Sequence, residues 1–390
     1  MKTRAHLLGI VPLLSVWAMT VLSNISPAHM QVCVVTQQVM DYAQFFLDWL
    51  SGNTVHRDFL LQHPLMLMFW GISMTVQWCW LNLHDAWLSL HDSLGHSLRC
   101  YADLLQKAML CFMLATMFQV GRSLYRVTER WLPVLLVQIA PWLFFESMIA
   151  VSQPVFLWCE MVTLWLIACL IAPVFTLYVP RTGDLVRWST RLGVVLGLCL
   201  SVDWQLWPLL GIAWFLPSTQ ARSHALGIAL VCAAIAFLPA MILQAWPIWI
   251  APVANWSFLY HTLLHNPLFP MGMALLLGSA HYFSQPHRAY LQYAHAVAKL
   301  LRLVVIVSCV ALAQVLLYGQ TLTLVACMML MAFCLALVTH YLLRYATQRH
   351  QRLRVKGAII AAVVGIVGMN GIAAVGYMES HPQRCVGMAP

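Results

Sequence analysis

The sequence predicts an all-α polytopic membrane protein of about eleven spans, and three observations carry that expectation. Of its 390 residues, 62% are hydrophobic and only 8% are charged, whereas a soluble domain needs roughly a quarter charged residues to solvate its surface. Apolar runs near the ~20 residues that cross a bilayer recur along the whole chain. Lys and Arg fall almost entirely into alternate loops, as a fixed membrane orientation requires. Those loops account for the net charge of +9, so no nucleic-acid partner is implied. The twelve cysteines contain no CxxC pair and mostly lie inside apolar runs, as small hydrophobes do.

Residues 1–24 carry Lys2 and Arg4 and then an apolar run from Leu7 to Leu22. This reads as a first span with the N-terminus inside, although a cleaved signal peptide has the same pattern. Residues 25–104 read as one large external loop with interfacial helices. Within it, Asp41, Gln44 and Asp48 share one face of a surface helix that Gly52 and Asn53 end. The arm Thr54-Val55-His56-Arg57-Asp58-Phe59 then leads to a break at His63-Pro64. Residues 80–103 form an amphipathic helix, with Leu83, Trp87, Leu90, Leu94, Leu98 and Tyr101 on one face and Asp85, Asp92, His96 and Asp103 on the other.

The run from Leu65 to Leu83 is apolar enough to span, but a span there would turn Arg122, Arg126 and Arg130 outward. Read as a re-entrant or interfacial wedge, it leaves only Arg57, Arg99, Lys107 and Arg384 of the 21 Lys and Arg residues outside. That asymmetry selects the second topology. The later spans then read as 105–121, 131–150, 154–178, 190–202, 204–217, 224–246, 267–284, 296–318, 321–343 and 357–378. The pair flanking Asp203 is short for full crossings and reads as tilted or broken helices. The whole chain, 1–390, is one transmembrane domain with an external C-terminal tail at 379–390.

Carboxylates gathered at a membrane surface are costly without partners, which makes Asp41, Asp48 and Asp58, with His56, Arg57 and His63, a candidate site. The plainer reading is a solvated loop. Glu146 and Asp203 fall at outer helix ends facing the same compartment, either lining one cavity or simply hydrogen-bonded to neighbours. Glu160 lies inside an apolar run and is expected to point into the bundle or a wet cavity. His261 and His265, in an outer loop at 247–266, fit a phosphate contact, a proton relay or ordinary loop histidines. Asp85, Asp92 and His96 have metal-ligand chemistry, so a divalent metal is the one cofactor these residues allow. Residues seven apart on a helix are about 10 Å apart along its axis, however, and a polar interfacial face explains the same pattern.

Asp41, Gly52, His56-Arg57-Asp58-Phe59 and His63-Pro64-Leu65 resemble, in order, the first-loop elements of the glycosyltransferase C superfamily. The likeness is to the branch containing protein mannosyltransferases and lipid A aminoarabinose transferase. Ala140-Pro141 resembles that family's Ser-Pro element, and Leu192-Gly193-Val194-Val195-Leu196-Gly197-Leu198 its Gly-Leu-x-x-Gly-Leu helix. The resemblance covers about the first 220 residues. It implies a hexosyl- or pentosyltransferase that moves a sugar from a polyprenyl-phosphate donor to a lipid, glycan or protein acceptor on the outer face of a membrane. A bacterial inner membrane is the expected location. By this resemblance Asp41 is the general base, supported by Asp48 and Asp58; the planar fork of Arg57 suits the departing phosphate, and Trp49 and Phe59 fit either sugar or prenyl contacts or interface anchors. The Lys common at the Asp203 turn is absent, which points to the alternative of an inactive relative acting as a lipid-binding or assembly subunit. A transporter or metal-binding membrane protein is the third class.

Overall fold

The computed structural model describes residues 112–138, 154–176, 182–242, 252–265, 268–285 and 293–345, with short helical pieces between 353 and 365. Among these residues every regular element is helical and none is a strand. In order they are α1 (112–128), α2 (Trp131–Gln138), α3 (Pro154–Thr176), α4 (Thr182–Val202), a 3-10 helix (Trp204–Phe215), α5 (Thr219–Ile242), α6 (Trp256–His265), α7 (Leu268–Ser284), α8 (Ala294–Tyr318) and α9 (Leu322–Tyr345). Five are long and apolar enough to cross a membrane: α3, α4, α5, α8 and α9. The first span, the loop 25–104, the wedge 65–83 and the tail lie outside the described residues.

Helix α9 is the hub. It is apolar on every side and buried almost throughout, as a helix without a polar face must be. Helices α2, α3, α7 and α8 and the 3-10 helix all pack on it. Helices α3 and α9 run parallel, since Cys159 meets Leu322 near their starts and Phe175 meets His340 near their ends.

Helices α4 and α5 are also parallel, and their contact depends on small residues. A Cβ on Gly193 would come within 2.5 Å of the Ala225 carbonyl oxygen, and one on Gly197 within 2.9 Å of that of Ala229. The facing stripe on α5 is Ala221, Ala225, Ala229, Ala233 and Ala236, all buried. Backbones can approach this closely only where both surfaces lack bulk. The glycine spacing that resembles a family motif is thus a helix-packing device here. The opposite side of α5, with Leu230, Val231, Ile235 and Leu238, is exposed, as a lipid-facing surface would be.

Three sequence expectations change. The span expected at 190–202 begins at Thr182 and is a full 21-residue helix. Its first turns carry Asp184, Arg187 and Arg191, so they do not look apolar, yet nothing in them breaks a helix. The segment after Asp203 is not α-helical: twelve residues wind as a 3-10 helix, with the Leu206 N–H donating to the Asp203 carbonyl three residues back at 3.1 Å. Leu206, Leu209, Ile212 and Phe215 are all buried, and that period of three matches the winding. The outer loop expected at 247–266 contains helix α6, capped by Asn255 Oδ1, which accepts from the Phe258 N–H at 2.9 Å.

Gly193→Ala should destabilise the protein by about 1–3 kcal/mol through overpacking. Gly227→Ala, on the same helix pair but with no atom within 4 Å of the added Cβ, should be neutral or gain up to about 1 kcal/mol of helix propensity. Thermal melts of the two variants in detergent check the contrast.

Candidate functional site

The bundle has two chemically distinct ends. At one, α4 ends, the 3-10 helix begins, α8 ends and α9 begins. At the other, the 3-10 helix ends against the start of α8. Arg122, Arg126, Arg130, Arg187, Arg191, Arg222, Lys299, Arg302 and Arg344 all lie in the half of the bundle nearest the second end. Asp203 and Glu160 lie toward the first, where the described helices place no Lys or Arg.

Asp203 is built into that first pole by its own backbone. It leaves α4 in an extended conformation, with φ −156° and ψ 131°, and its Oδ1 accepts from the Gln205 N–H at 2.8 Å. This is an N-cap, satisfying a donor that the next helix would otherwise leave bare. The Gln205 carbonyl in turn accepts from Gln314 Nε2 at 2.9 Å and from the Thr323 hydroxyl at 2.7 Å. One peptide unit after the cap therefore ties α8 and α9 to the start of the 3-10 helix. Nearby, the Cys159 thiol lies 3.7 Å from the Leu322 carbonyl, joining α3 to the same end.

Asp203 is only 4% exposed, and it sits in the turn beyond the span that ends at Val202. Burial pushes its carboxyl up from 3.8 to about 7, with the Gln205 N–H pulling in the opposite direction. Glu160, in the second turn of α3, is 1% exposed, and neither of its carboxylate oxygens has a hydrogen-bond partner among the described residues. The amide oxygens of Gln314 and Gln320 are likewise unpaired. This pole thus presents oxygen acceptors and protonatable carboxyls in an environment that resists negative charge.

Of the residues singled out from sequence, only Asp203 among the acidic candidates of the site lies in the described part. Asp41, Asp48, Asp58, Arg57, His56, His63 and Glu146 lie outside it, as do Asp85, Asp92 and His96. Glu160 points inward as expected. His261 is exposed on α6, with its ring 6.0 Å from that of Tyr260. Among the described residues no three His, Cys, Asp or Glu side chains are grouped to hold a metal. Sequence reasoning missed Gln205, Gln314 and Thr323. Gln314 carried a readable signal, an amide within the apolar second half of α8.

The linkage for Asp203 has a definite sign. Its folded pKa is raised, so the folded state holds the proton over a pH range in which the unfolded chain has released it. Its effect on stability is most favourable below about pH 4 and is lost as pH rises toward about 7. Asp203→Asn keeps a capping oxygen and removes the titration. Its melting temperature should exceed that of the wild type at about pH 8 and converge with it near pH 4.

No protein-family model, curated protein or solved structure matches the chain.

Proposed function

We propose that the chain is a membrane glycosyltransferase that moves a sugar from a polyprenyl-phosphate donor to a lipid, glycan or protein acceptor at the Asp203 pole. The observation that supports this reading best is Asp203 itself: a carboxyl group held near pKa 7 by burial, at the pole where the described helices carry no cation. In this reading Asp203 is a substrate contact, a buried carboxyl able to hydrogen-bond a sugar or acceptor hydroxyl, and the base is another residue. In the resemblance drawn from sequence, Asp41 takes the acceptor hydroxyl proton while that oxygen attacks the sugar's anomeric carbon. The bond from that carbon to the phosphate oxygen breaks, and polyprenyl phosphate leaves. Arg57 neutralises the departing phosphate, where its planar fork fits two oxygens. In the same reading Asp48 and Asp58 support the base, and His56, His63, Glu146 and Asp203 are substrate contacts.

A second reading, a non-enzymatic lipid-binding or assembly subunit, draws on the hydrogen bond that makes Asp203 a cap. The two readings separate on bound ligand and activity. Native mass spectrometry of protein purified gently from its own membranes should show a polyprenyl phosphate or its glycosylated form, lost in Arg57→Ala. Asp41→Asn should keep that lipid and lower transfer by about 10²–10⁴-fold. A folded protein free of prenyl lipid would remove the transferase reading. Retained lipid with no Asp41-dependent transfer would favour the subunit.

The basic pole is the cytoplasmic one in this proposal, because Lys and Arg are retained inside during insertion. Gly183, with open space around it, and Val253, 71% exposed, mark the two ends. With accessible native cysteines replaced, Gly183→Cys should resist a membrane-impermeant maleimide in intact cells, and Val253→Cys should label. The opposite pattern would invert the topology.

A further inference from the structure

The basic pole contains a cavity that the transferase reading does not use. His295, Lys299 and Arg302 stand at positions i, i+4 and i+7 of α8 and therefore share a face. With Ser284 at the end of α7, they line a half-open cavity of about 190 Å³. Its remaining lining, Ala298 and Leu303, is apolar.

The cations here are held together by neutral oxygens. Lys299 Nζ donates to the carbonyls of Phe215 at 3.1 Å and Leu216 at 3.4 Å. Arg222 Nε donates to the same Leu216 carbonyl at 2.9 Å, so two positive groups converge on one uncharged acceptor. Arg302 Nη2 donates to the Ser284 hydroxyl at 2.7 Å. Neither Lys299 nor Arg302 has a carboxylate partner among the described residues. An ammonium has three donors and a guanidinium five, so both groups keep N–H bonds to spare, and the described lining of the cavity holds no anion.

We infer that this cavity binds a phosphate oxyanion, held by Arg302 and Lys299 with His295 at the rim. A guanidinium fork matches two phosphate oxygens, and a lysine ammonium adds a point charge. Two sources share that chemistry: the headgroup of an anionic phospholipid and a soluble phosphorylated compound. Lys299 lies five residues into α8, about 8 Å from its start, a depth from which a lysine reaches the headgroup layer along its aliphatic stem. The site lies at the opposite end of the bundle from Asp203, so it stands whether or not the transferase reading does.

The test uses the full-length protein, delipidated in detergent and reloaded with phosphatidylglycerol or phosphatidylcholine before native mass spectrometry. Phosphatidylglycerol should be retained over phosphatidylcholine. Arg302→Gln, at an exposed position, should weaken that retention about tenfold, and Arg302→Lys should restore part of it. A melting curve matching the wild type confirms that Arg302→Gln is folded. Displacement of the lipid by inorganic phosphate, with a rise in melting temperature, would assign the site to soluble phosphates; retention against phosphate would assign it to the headgroup. Equal retention of the two lipids in the wild type and Arg302→Gln, with no thermal shift from inorganic phosphate, overturns the inference.

Discussion

Two helices that run in the same direction with their backbones in contact cannot be joined by a turn, and the chain between α4 and α5 must travel back along the length of the bundle. The close contact at Gly193 and Gly197 is made in that parallel arrangement. Twelve residues make the return as a 3-10 helix, covering about 24 Å at ~2.0 Å per residue. An α-helix would need about 16 residues for the same distance. Pro208 lies inside this segment and has no N–H to give, so one rung of an α-helical or a 3-10 ladder is missing there. The return segment then fixes where the chemistry falls. Asp203 stands at its start, and the carbonyls of Phe215 and Leu216 stand at its end.

Those two ends are electrically matched to the segment between them. A helix favours a carboxylate at its first turn and cations at its last. Asp203 occupies the first position, and Lys299 and Arg222 hold the final carbonyls. The matching is asymmetric in strength, because Asp203 is buried enough to sit near its titration point while the cations reach water. A neutral Asp203 still caps through its oxygen, so the fold survives a change of protonation. What protonation alters is the charge at the pole that collects Gln314, Thr323 and Glu160.

Much of the helical framework was legible because continuous apolar runs ended in recognisable signals. The spans at 154–178, 267–284, 296–318 and 321–343 lie close to α3, α7, α8 and α9, with Gly319 in the left-handed conformation closing α8. The start of α4 was less legible, since Asp184, Arg187 and Arg191 make its first turns look like a loop. The 3-10 winding was recorded in a period of three, Leu206, Leu209, Ile212 and Phe215, that a search for periods near 3.6 passes over. At the candidate site, Asp203 was legible as a lone acid between apolar segments. Its partners were not, because Gln205 contributes a backbone carbonyl and no side-chain pattern reports where a carbonyl will point.

The 3-10 segment also sets a length. Its wall is about 24 Å tall, against roughly 30 Å for an average hydrocarbon core. Trp207 and Trp214 stand on it, 47% and 50% exposed and about 14 Å apart along its axis. Helix α8, with 25 residues, rises about 38 Å beside it, and α9 is walled in by its neighbours. Among the described residues, the one regular segment that departs from α-helical geometry is thus shorter than the α4, α5, α8 and α9 helices it packs against.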